Sequence, residues 1–199
     1  ATTALALIGA REQSHRGSMK DPSSSAYTFA YFVVSQDFHW LRLHAGLALL
    51  GTSARPEADA MRQLREAAIG FFEQGRAAEV LQLNLPLAFH PSRSGDKSLA
   101  QAYLDMILAA GSDQLVRQNR AVMARPDALA HLPRLQCPVL AMCGDGDQLT
   151  PPECSREITA AVPGSELVVV AQCGHMLTME RPEAVNRALN AWLSRVFGL

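Results

Sequence analysis

The hydrophobic positions along the chain divide it into two kinds of segment. Short apolar runs that end at turn residues occur at residues 46–53, 138–143 and 166–171, and each predicts a buried β-strand. Between the first two runs, from Arg55 to Arg134, apolar residues recur at three- and four-residue steps, which is typical of amphipathic helices. The pattern therefore predicts strands of a sheet that are interrupted by one long, wholly helical stretch.

Turn-forming and capping residues indicate where the helices begin and end. Breaks in the helical stretch are predicted at Pro86, at residues 91–95 and at Gly111. After strand 138–143, Thr150 is placed to cap a helix, and Glu153 three residues later can bond back to the cap. A last amphipathic helix is expected to begin near Pro182.

The order of these segments predicts an α/β fold with a mostly parallel, doubly wound sheet and an inserted helical cap. Residues 1–54 and 135–199 would form the α/β core, and residues 55–134 would form the cap. Residues 3–9 and 27–35 are apolar enough for either a strand or a helix. The contribution of the N-terminal part to the sheet is therefore left open.

Composition narrows the classes of function without selecting one. The chain has 199 residues, 48% of them hydrophobic, and a formal net charge of −1, as expected of a globular domain. A near-neutral chain has little electrostatic attraction for nucleic acid or an anionic membrane, so neither is expected as a partner. No apolar run approaches the ~20 residues of a membrane-spanning helix, and the first residues lack a basic leader. A cytoplasmic protein is expected.

The cysteines point to reduced thiols. All four of them, Cys137, Cys143, Cys154 and Cys173, lie in or beside the apolar runs of the last third of the chain. Their irregular spacing contains no C-x-x-C pair, so buried free thiols are expected and no metal is.

An Asp and a His each follow a predicted strand near the C-terminus. Asp147 lies in the loop after strand 138–143, and His175 lies in the loop after strand 166–171. Loops at the carboxyl ends of parallel strands gather binding and catalytic residues. A catalytic His in the second loop could therefore find its orienting carboxylate in the first.

From Gly46 onward the chain resembles the α/β-hydrolases, in the branch of small esterases that includes enol-lactonases and acyl-carrier methyl-ester esterases. The matching pieces are the strand 46–53, the helical cap, Gly144-x-x-Asp147-x-x-Thr150-Pro151, and Cys173-Gly174-His175 followed by Glu180-Arg181-Pro182-Glu183-Ala184-Val185. The resemblance implies that Asp147, in preference to Asp145, is the acid of a catalytic triad and that His175 is its general base. It also implies a cofactor-free hydrolase of small carboxylic esters or lactones.

The nucleophile that the resemblance implies is not found. α/β-Hydrolases carry it in a G-x-S-x-G elbow between a strand and a helix, and no Gly-x-Ser-x-Gly occurs in the chain. After a strand at residues 4–8, Arg11 stands at the expected position, and arginine cannot attack an ester. The remaining candidates are Ser18 and Ser53.

Several explanations of the missing elbow stay open. A truncated and internally deleted chain, a frame error in the gene, and a degenerate relative without catalysis would each give this sequence. Loss of the elbow segment would leave strand 46–53 without its usual neighbour, and an exposed strand edge invites pairing with another chain. A homodimer that completes the sheet is therefore a hypothesis.

Two functions from different classes follow from the sequence. The first is hydrolysis of a small ester by a Ser-His-Asp type mechanism, with Leu85, Phe89 and His90 of the cap contacting the substrate. The apolar residues of this cap segment would suit an apolar acyl or alcohol portion, although packing within the cap explains the same pattern. The second is a binding or structural module that keeps the fold without the nucleophile.

Overall fold

A computed structural model describes the backbone of residues 4–8 and the whole of residues 46–198. In this part of the chain, four strands form one sheet in the order β1-β2-β3-β4. The strands are β1 Ala4–Ile8, β2 Gly46–Leu50, β3 Val139–Gly144 and β4 Glu166–Val170. β2, β3 and β4 are parallel, with Leu49 opposite Ala141 and Met142 opposite Val168, whereas β1 is antiparallel to β2. The three strands predicted from the apolar runs are thus confirmed.

Helices cover both faces of the sheet. On one face, Ala48 and Leu50 of β2 pack with Trp192 of the last helix, α7 (Pro182–Phe197). On the other face, Leu47 and Leu49 pack with Ile158 of α5 (Pro152–Ala161). Because every residue of β2 and β3 is buried, these strands are continuous apolar runs without polar alternation. The doubly wound α/β prediction is therefore confirmed.

Four α-helices lie between β2 and β3, where the sequence predicts the cap. They are α1 Asp59–Glu73, α2 Ala77–Ala88, α3 Lys97–Leu108 and α4 Ser112–Met123, with short 3-10 segments at Pro91–Arg93 and Leu129–Arg134. The break at Gly111 is confirmed, because this glycine has a φ of 79° directly before α4. The break at Pro86 is wrong, because Pro86 lies inside the last turn of α2. Proline has no N–H to donate to the carbonyl of Gln82, four residues earlier. Gln82 is exposed, so water can donate a hydrogen bond to this carbonyl instead.

The capping box predicted for α5 is wrong. The helix begins at Pro152 after Pro151, without a side-chain cap. The hydroxyl of Thr150 donates instead to the buried carboxylate of Asp147, and Glu153 pairs with Arg156 at 2.9 Å. Pro152 has no N–H that the hydroxyl oxygen could accept from, and the hydroxyl hydrogen bonds to the buried carboxylate.

The expectation of an exposed edge at strand 46–53 is also wrong. β1 pairs along β2, with Ala6 opposite Ala48, and supplies the hydrogen bonds of that edge. The homodimer that a free edge would favour stays a prediction. Residues 27–35, Arg11 and Ser18 lie outside the described residues.

A short helix, α6 (Leu177–Glu180), follows the loop after β4 and leads into α7. No helix in the described ranges combines the length and the apolar character that crossing a bilayer demands.

Candidate active site

The carboxylate of Asp147 accepts four hydrogen bonds in the loop after β3. Its Oδ1 accepts from the backbone N–H groups of Leu149 and Thr150, each at 2.9 Å. Its Oδ2 accepts from the Thr150 hydroxyl at 2.8 Å and from Nδ1 of His175 at 2.9 Å. Three of these four bonds come from the loop of Asp147 itself, so the loop fixes the carboxylate independently of His175.

His175 lies in the loop after β4 and is buried, with only 6% of its surface exposed. The backbone N–H of His175 donates to the carbonyl of Ala88 at 3.0 Å. Its ring presents Nδ1 to Asp147 and lies 3.3 Å from the Thr150 hydroxyl oxygen. The structure thus joins the two residues that the sequence selects as acid and base.

The charge of Asp147 determines which nitrogen of His175 carries the proton. Burial by itself raises the pKa of the Asp147 carboxyl, but the hydrogen bond and charge of His175 and the donors of Thr150 outweigh it, so the pKa lies below its usual value. The carboxylate is therefore ionised at neutral pH and can only accept hydrogen bonds. In the neutral imidazole, Nδ1 then carries the hydrogen and Nε2 keeps the lone pair that a general base needs.

The two loops touch at Gly144, the last residue of β3. A Cβ atom at this position would lie 2.1 Å from the carbonyl oxygen of Cys173 and 2.4 Å from that of Gly174. The N–H of Gly146 also donates to the Cys173 carbonyl at 2.9 Å. Glycine at position 144 therefore permits the close approach that places Asp147 beside His175.

Asp145 and Cys173 stabilise this loop contact. Asp145 is exposed, and its Oδ1 accepts from the backbone N–H of Cys173 at 3.1 Å. Burial raises the pKa of the Cys173 thiol to about 12, so the thiol stays protonated at neutral pH. Cys143 and Cys173 are buried and Cys137 and Cys154 half-buried, all four as free thiols. Over the described ranges, no group of three or more His, Cys, Asp or Glu side chains could hold a metal ion.

The three predicted substrate contacts lie around the C-terminal end of α2. Phe89 is buried against Tyr103, with an edge-to-face ring distance of 5.4 Å, and Leu85 packs against the same cluster. Nδ1 of His90 accepts from the N–H of Ser92 at 3.1 Å. These contacts account for Phe89 as a packing residue, and a substrate role for the three residues stays a prediction.

Of the two nucleophile candidates, Ser53 lies within the described residues. The hydroxyl of Ser53, just after β2, accepts a hydrogen bond from the N–H of Arg55 at 3.1 Å. The role of Ser53 as a nucleophile stays a prediction, and Ser18 lies outside the described residues.

Sequence reasoning missed the contribution of Thr150 and that of Glu180. An Asp followed three residues later by a Thr is a spacing at which a carboxylate can accept from both the N–H and the hydroxyl, so the Asp147-x-x-Thr150 spacing was a usable signal. Glu180, which is 4% exposed, accepts from the N–H groups of Gly174 and His90, each at 2.8 Å. No local pattern indicates this contact, because His90 is far from Glu180 in the sequence.

Comparison with known proteins places this arrangement in context. RutD of Serratia proteamaculans, assigned as a carbamate hydrolase, is 36% identical over 83 residues, which are 42% of this chain and 31% of that protein. The structure of an esterase from Thermogutta terrifontis aligns with a TM-score of 0.75 and 28% identity, over 79% of this chain and 58% of the esterase. The enol-lactonase of Burkholderia xenovorans LB400 shares the fold, with a TM-score of 0.68 and 19% identity over 76% of this chain and 57% of the lactonase.

The matched region thus spans about a third of this curated relative and less than two thirds of these two solved structures. The sequence profile of the Alpha/beta hydrolase family, in contrast, matches residues 14–188, which is most of the chain. Because the profile runs through β2, β3 and β4, the helices between them and both loops of the Asp–His pair, this chain belongs to the Alpha/beta hydrolase family.

Proposed function

We propose that this protein hydrolyses small carboxylic esters or lactones, with His175 as general base and Asp147 as the carboxylate that orients it. The observation that carries the proposal is the 2.9 Å hydrogen bond between Nδ1 of His175 and the buried, ionised Oδ2 of Asp147. This bond leaves Nε2 of His175 able to accept a proton. It is the arrangement that acyl transfer through a hydroxyl nucleophile needs.

The mechanism follows from this proton position. Nε2 of His175 takes the proton of a serine hydroxyl while the serine oxygen attacks the carbonyl carbon of the substrate. Asp147 stabilises the resulting imidazolium, which then gives its proton to the leaving oxygen. In the second half of the reaction, Nε2 takes a proton from water while the water oxygen attacks the acyl carbon. The imidazolium then returns this proton to the serine oxygen as its bond to the acyl carbon breaks and the acid leaves. Ser18 and Ser53 are the candidate nucleophiles predicted from the sequence.

The similar proteins support the substrate class at the level of a shared reacting group. Esters, lactones and carbamates each have a carbonyl carbon bonded to an oxygen or nitrogen that can leave. The esterase, the enol-lactonase and RutD are each named for a substrate with such a carbon. We place esters and lactones first because the solved structure with the highest TM-score quoted above is that of an esterase.

A second candidate function is that of a binding module. It is supported by the sequence, which contains no Gly-x-Ser-x-Gly segment. Without an activated serine, the Asp147–His175 pair would serve only the packing of the two loops. The protein would then act as a binding module with the hydrolase fold.

A fluorophosphonate probe separates these two functions, because it reacts with serines that a neighbouring base activates. We expect the intact mass of the protein to increase by one probe, and peptide mapping to identify the serine. His175→Ala should slow labelling by about 10²-fold or more, because it removes the base. Asp147→Asn should slow it as well, because it removes the carboxylate that selects the tautomer.

His131→Ala is the matched control. His131 lies in the 3-10 segment before β3, at the amino end of that strand, whereas Asp147 follows its carboxyl end. This variant should label like the original protein. A chain that stays unlabelled, or that labels equally well without His175, would contradict the hydrolase proposal and favour the binding module.

A further inference from the structure

The C-terminal end of the cap helix α2 is joined directly to the loop that carries His175. The carbonyl of Ala88, the last residue of α2, accepts from the N–H of His175 at 3.0 Å and from that of Met176 at 3.2 Å. The backbone of the proposed base is thus bonded to the cap, while its ring is bonded to Asp147 in the core. Any movement of residues 88–90 must therefore reach His175.

One buried carboxylate holds this junction. Glu180 is 4% exposed, and it ends the short helix α6. Its Oε1 accepts from the N–H of Gly174 in the His175 loop at 2.8 Å. Its Oε2 accepts from the N–H of His90 in the cap at 2.8 Å. The side chain therefore uses one oxygen for each side of the junction.

The packing shows that the junction is tight. A Cβ atom at Gly174 would lie 2.4 Å from the backbone nitrogen of His90 and 2.5 Å from the carbonyl carbon of Phe89. A Cβ atom at Gly146, in the loop of Asp147, would lie 2.4 Å from Cδ2 of the His90 ring. Residues 89 and 90 are thus in close contact with the loops of both Asp147 and His175.

We infer that Glu180 is a positioning residue that sets the place of His175 by tying its loop to the cap. The inference rests on the proposed role of His175 as general base. The two N–H groups meet different oxygens of the Glu180 carboxylate, and a glutamine has only one oxygen. A glutamine would turn its NH₂ group toward one of the two N–H groups, so that one buried donor loses its acceptor. The cap then loosens from the loop, and the ring of His175 shifts relative to Asp147.

The test uses NMR signals of the protein without substrate, so it does not depend on turnover. The first signal is the downfield proton on Nδ1 of His175, identified by its loss in Asp147→Asn. The second is the exchange of the amide protons of His175 and Met176, whose acceptor is Ala88 and not Glu180. In Glu180→Gln we expect these two amides to exchange about tenfold faster or more, and the Nδ1 proton to shift, while the amides of β3 keep their protection.

Glu183→Gln is the matched control, because Glu183 is exposed one turn further along the chain. It makes the same chemical change and should leave both signals unchanged. Faster exchange in Glu180→Gln that is confined to His90 and Gly174, with an unchanged Nδ1 proton, would overturn the inference.

A second pair of variants tests the same bond from the cap, should Glu180→Gln fail to fold. His90 has a φ of −60°, which proline adopts, and Phe89 before it has the extended conformation that a following proline requires. His90→Pro therefore removes the N–H that donates to Glu180, whereas His90→Ala keeps it, and both remove the ring. We expect the Nδ1 proton of His175 to shift in the proline variant relative to the alanine variant. Identical signals in the two variants would overturn the inference.

The proposed function can fail separately. Absence of fluorophosphonate labelling in the original protein would refute hydrolysis and leave the NMR result standing as a property of the junction. If the original protein is labelled, Glu180→Gln should reduce the labelling rate about tenfold or more, because the displaced base accepts the serine proton less well.

Discussion

Thr150 fixes Asp147 through two separate groups, its N–H and its hydroxyl. Together with the N–H of Leu149, they hold both carboxylate oxygens in the absence of any contact from His175. A carboxylate with so many donors is held in its ionised form. The ring of His175 is thus oriented by the carboxylate of Asp147, and this carboxylate is held in place by the loop after β3.

Asp147→Asn should make stability less dependent on pH. The pKa of Asp147 in the folded protein is lower than in the unfolded chain, where it is about 3.9. Its ionised form therefore contributes stability that is fully present above pH 3.9 and is lost as the pH falls through the lower, folded-state pKa. At pH 7 we expect the asparagine variant to be less stable by about 1.5–3 kcal/mol, the value of a hydrogen bond to a charged group.

Urea unfolding at pH 7 and at several values down to pH 3 measures this difference. The gap between the two proteins should narrow in the acid range, because protonation of Asp147 then removes the same charge from the original protein. A gap that stays constant over this range would show that Asp147 contributes nothing through its ionisation.

At the residue scale, the sequence was sufficient to predict that the loops of Asp147 and His175 lie side by side. Both follow strands whose apolar runs are unmistakable, and parallel strands bring their carboxyl ends together. Thr150 was assigned to the wrong partner because its hydroxyl has two acceptable partners in the sequence, a helix end and a carboxylate. The missing N–H of Pro152 could have been read from the sequence, whereas the burial of the Asp147 carboxylate could not.

At the element scale, the approach of the β3 and β4 loops depends on Gly144. A methyl group there would meet backbone oxygen atoms, which cannot move aside as a flexible side chain can. We expect Gly144→Ala to separate the loops and to destabilise the protein by more than about 3 kcal/mol, at the severe end of single substitutions.

Gly70→Ala is the matched control for this substitution. Gly70 lies inside α1, and a Cβ atom there would meet nothing within 4 Å. Alanine should stabilise the helix by up to about 1 kcal/mol, because glycine is a poor helix former. Urea unfolding measures both variants. The midpoint should fall in Gly144→Ala and rise in Gly70→Ala. Equal effects would mean that the loop contact at Gly144 is unimportant for folding.

The helices and strands were largely predictable from the sequence, whereas the pairing of β1 with β2 was not. β2, β3 and α7 follow from apolar runs and periodicity, because these signals are local. The pairing of β1 with the edge of β2 joins residues distant in sequence, and an apolar segment such as residues 3–9 fits a strand or a helix equally well. Pro86 misled for a related reason, since a proline near the end of an exposed turn costs a helix little.

At the scale of the whole molecule, one apolar cluster lies wholly within the predicted cap, whereas another joins Leu132 of the predicted cap to Leu47 and Val139 of the sheet. Ile69, Phe72 and Leu115 form a cluster built from cap helices alone. Trp192, which is 1% exposed, packs α7 against β2, β3 and β4 in a separate cluster of the core. The two parts meet around Phe89, where Met176 and Met179 of the core pack against the cap. The boundaries at residues 54 and 135 remain a prediction.

Two truncations test whether the cap opens independently of the core. Phe72→Ala removes a ring from a cluster of cap residues, and Trp192→Ala removes the largest fully buried side chain among the described residues. Each should cost about 3–5 kcal/mol in the unit that contains it. Native-state amide exchange should then show α1 and α4 losing protection in Phe72→Ala while β3 keeps it, because local opening of the cap does not expose the sheet.

Trp192→Ala should instead lower the protection of β3 and of the cap together, since the cap is inserted between β2 and β3 and depends on the sheet for the position of its two ends. The same loss of protection in both variants, at every amide, would show one cooperative unit and contradict the division. If the cap opens independently, the hydrogen bonds of Glu180 to His90 and Gly174 hold a separately moving unit in place next to His175.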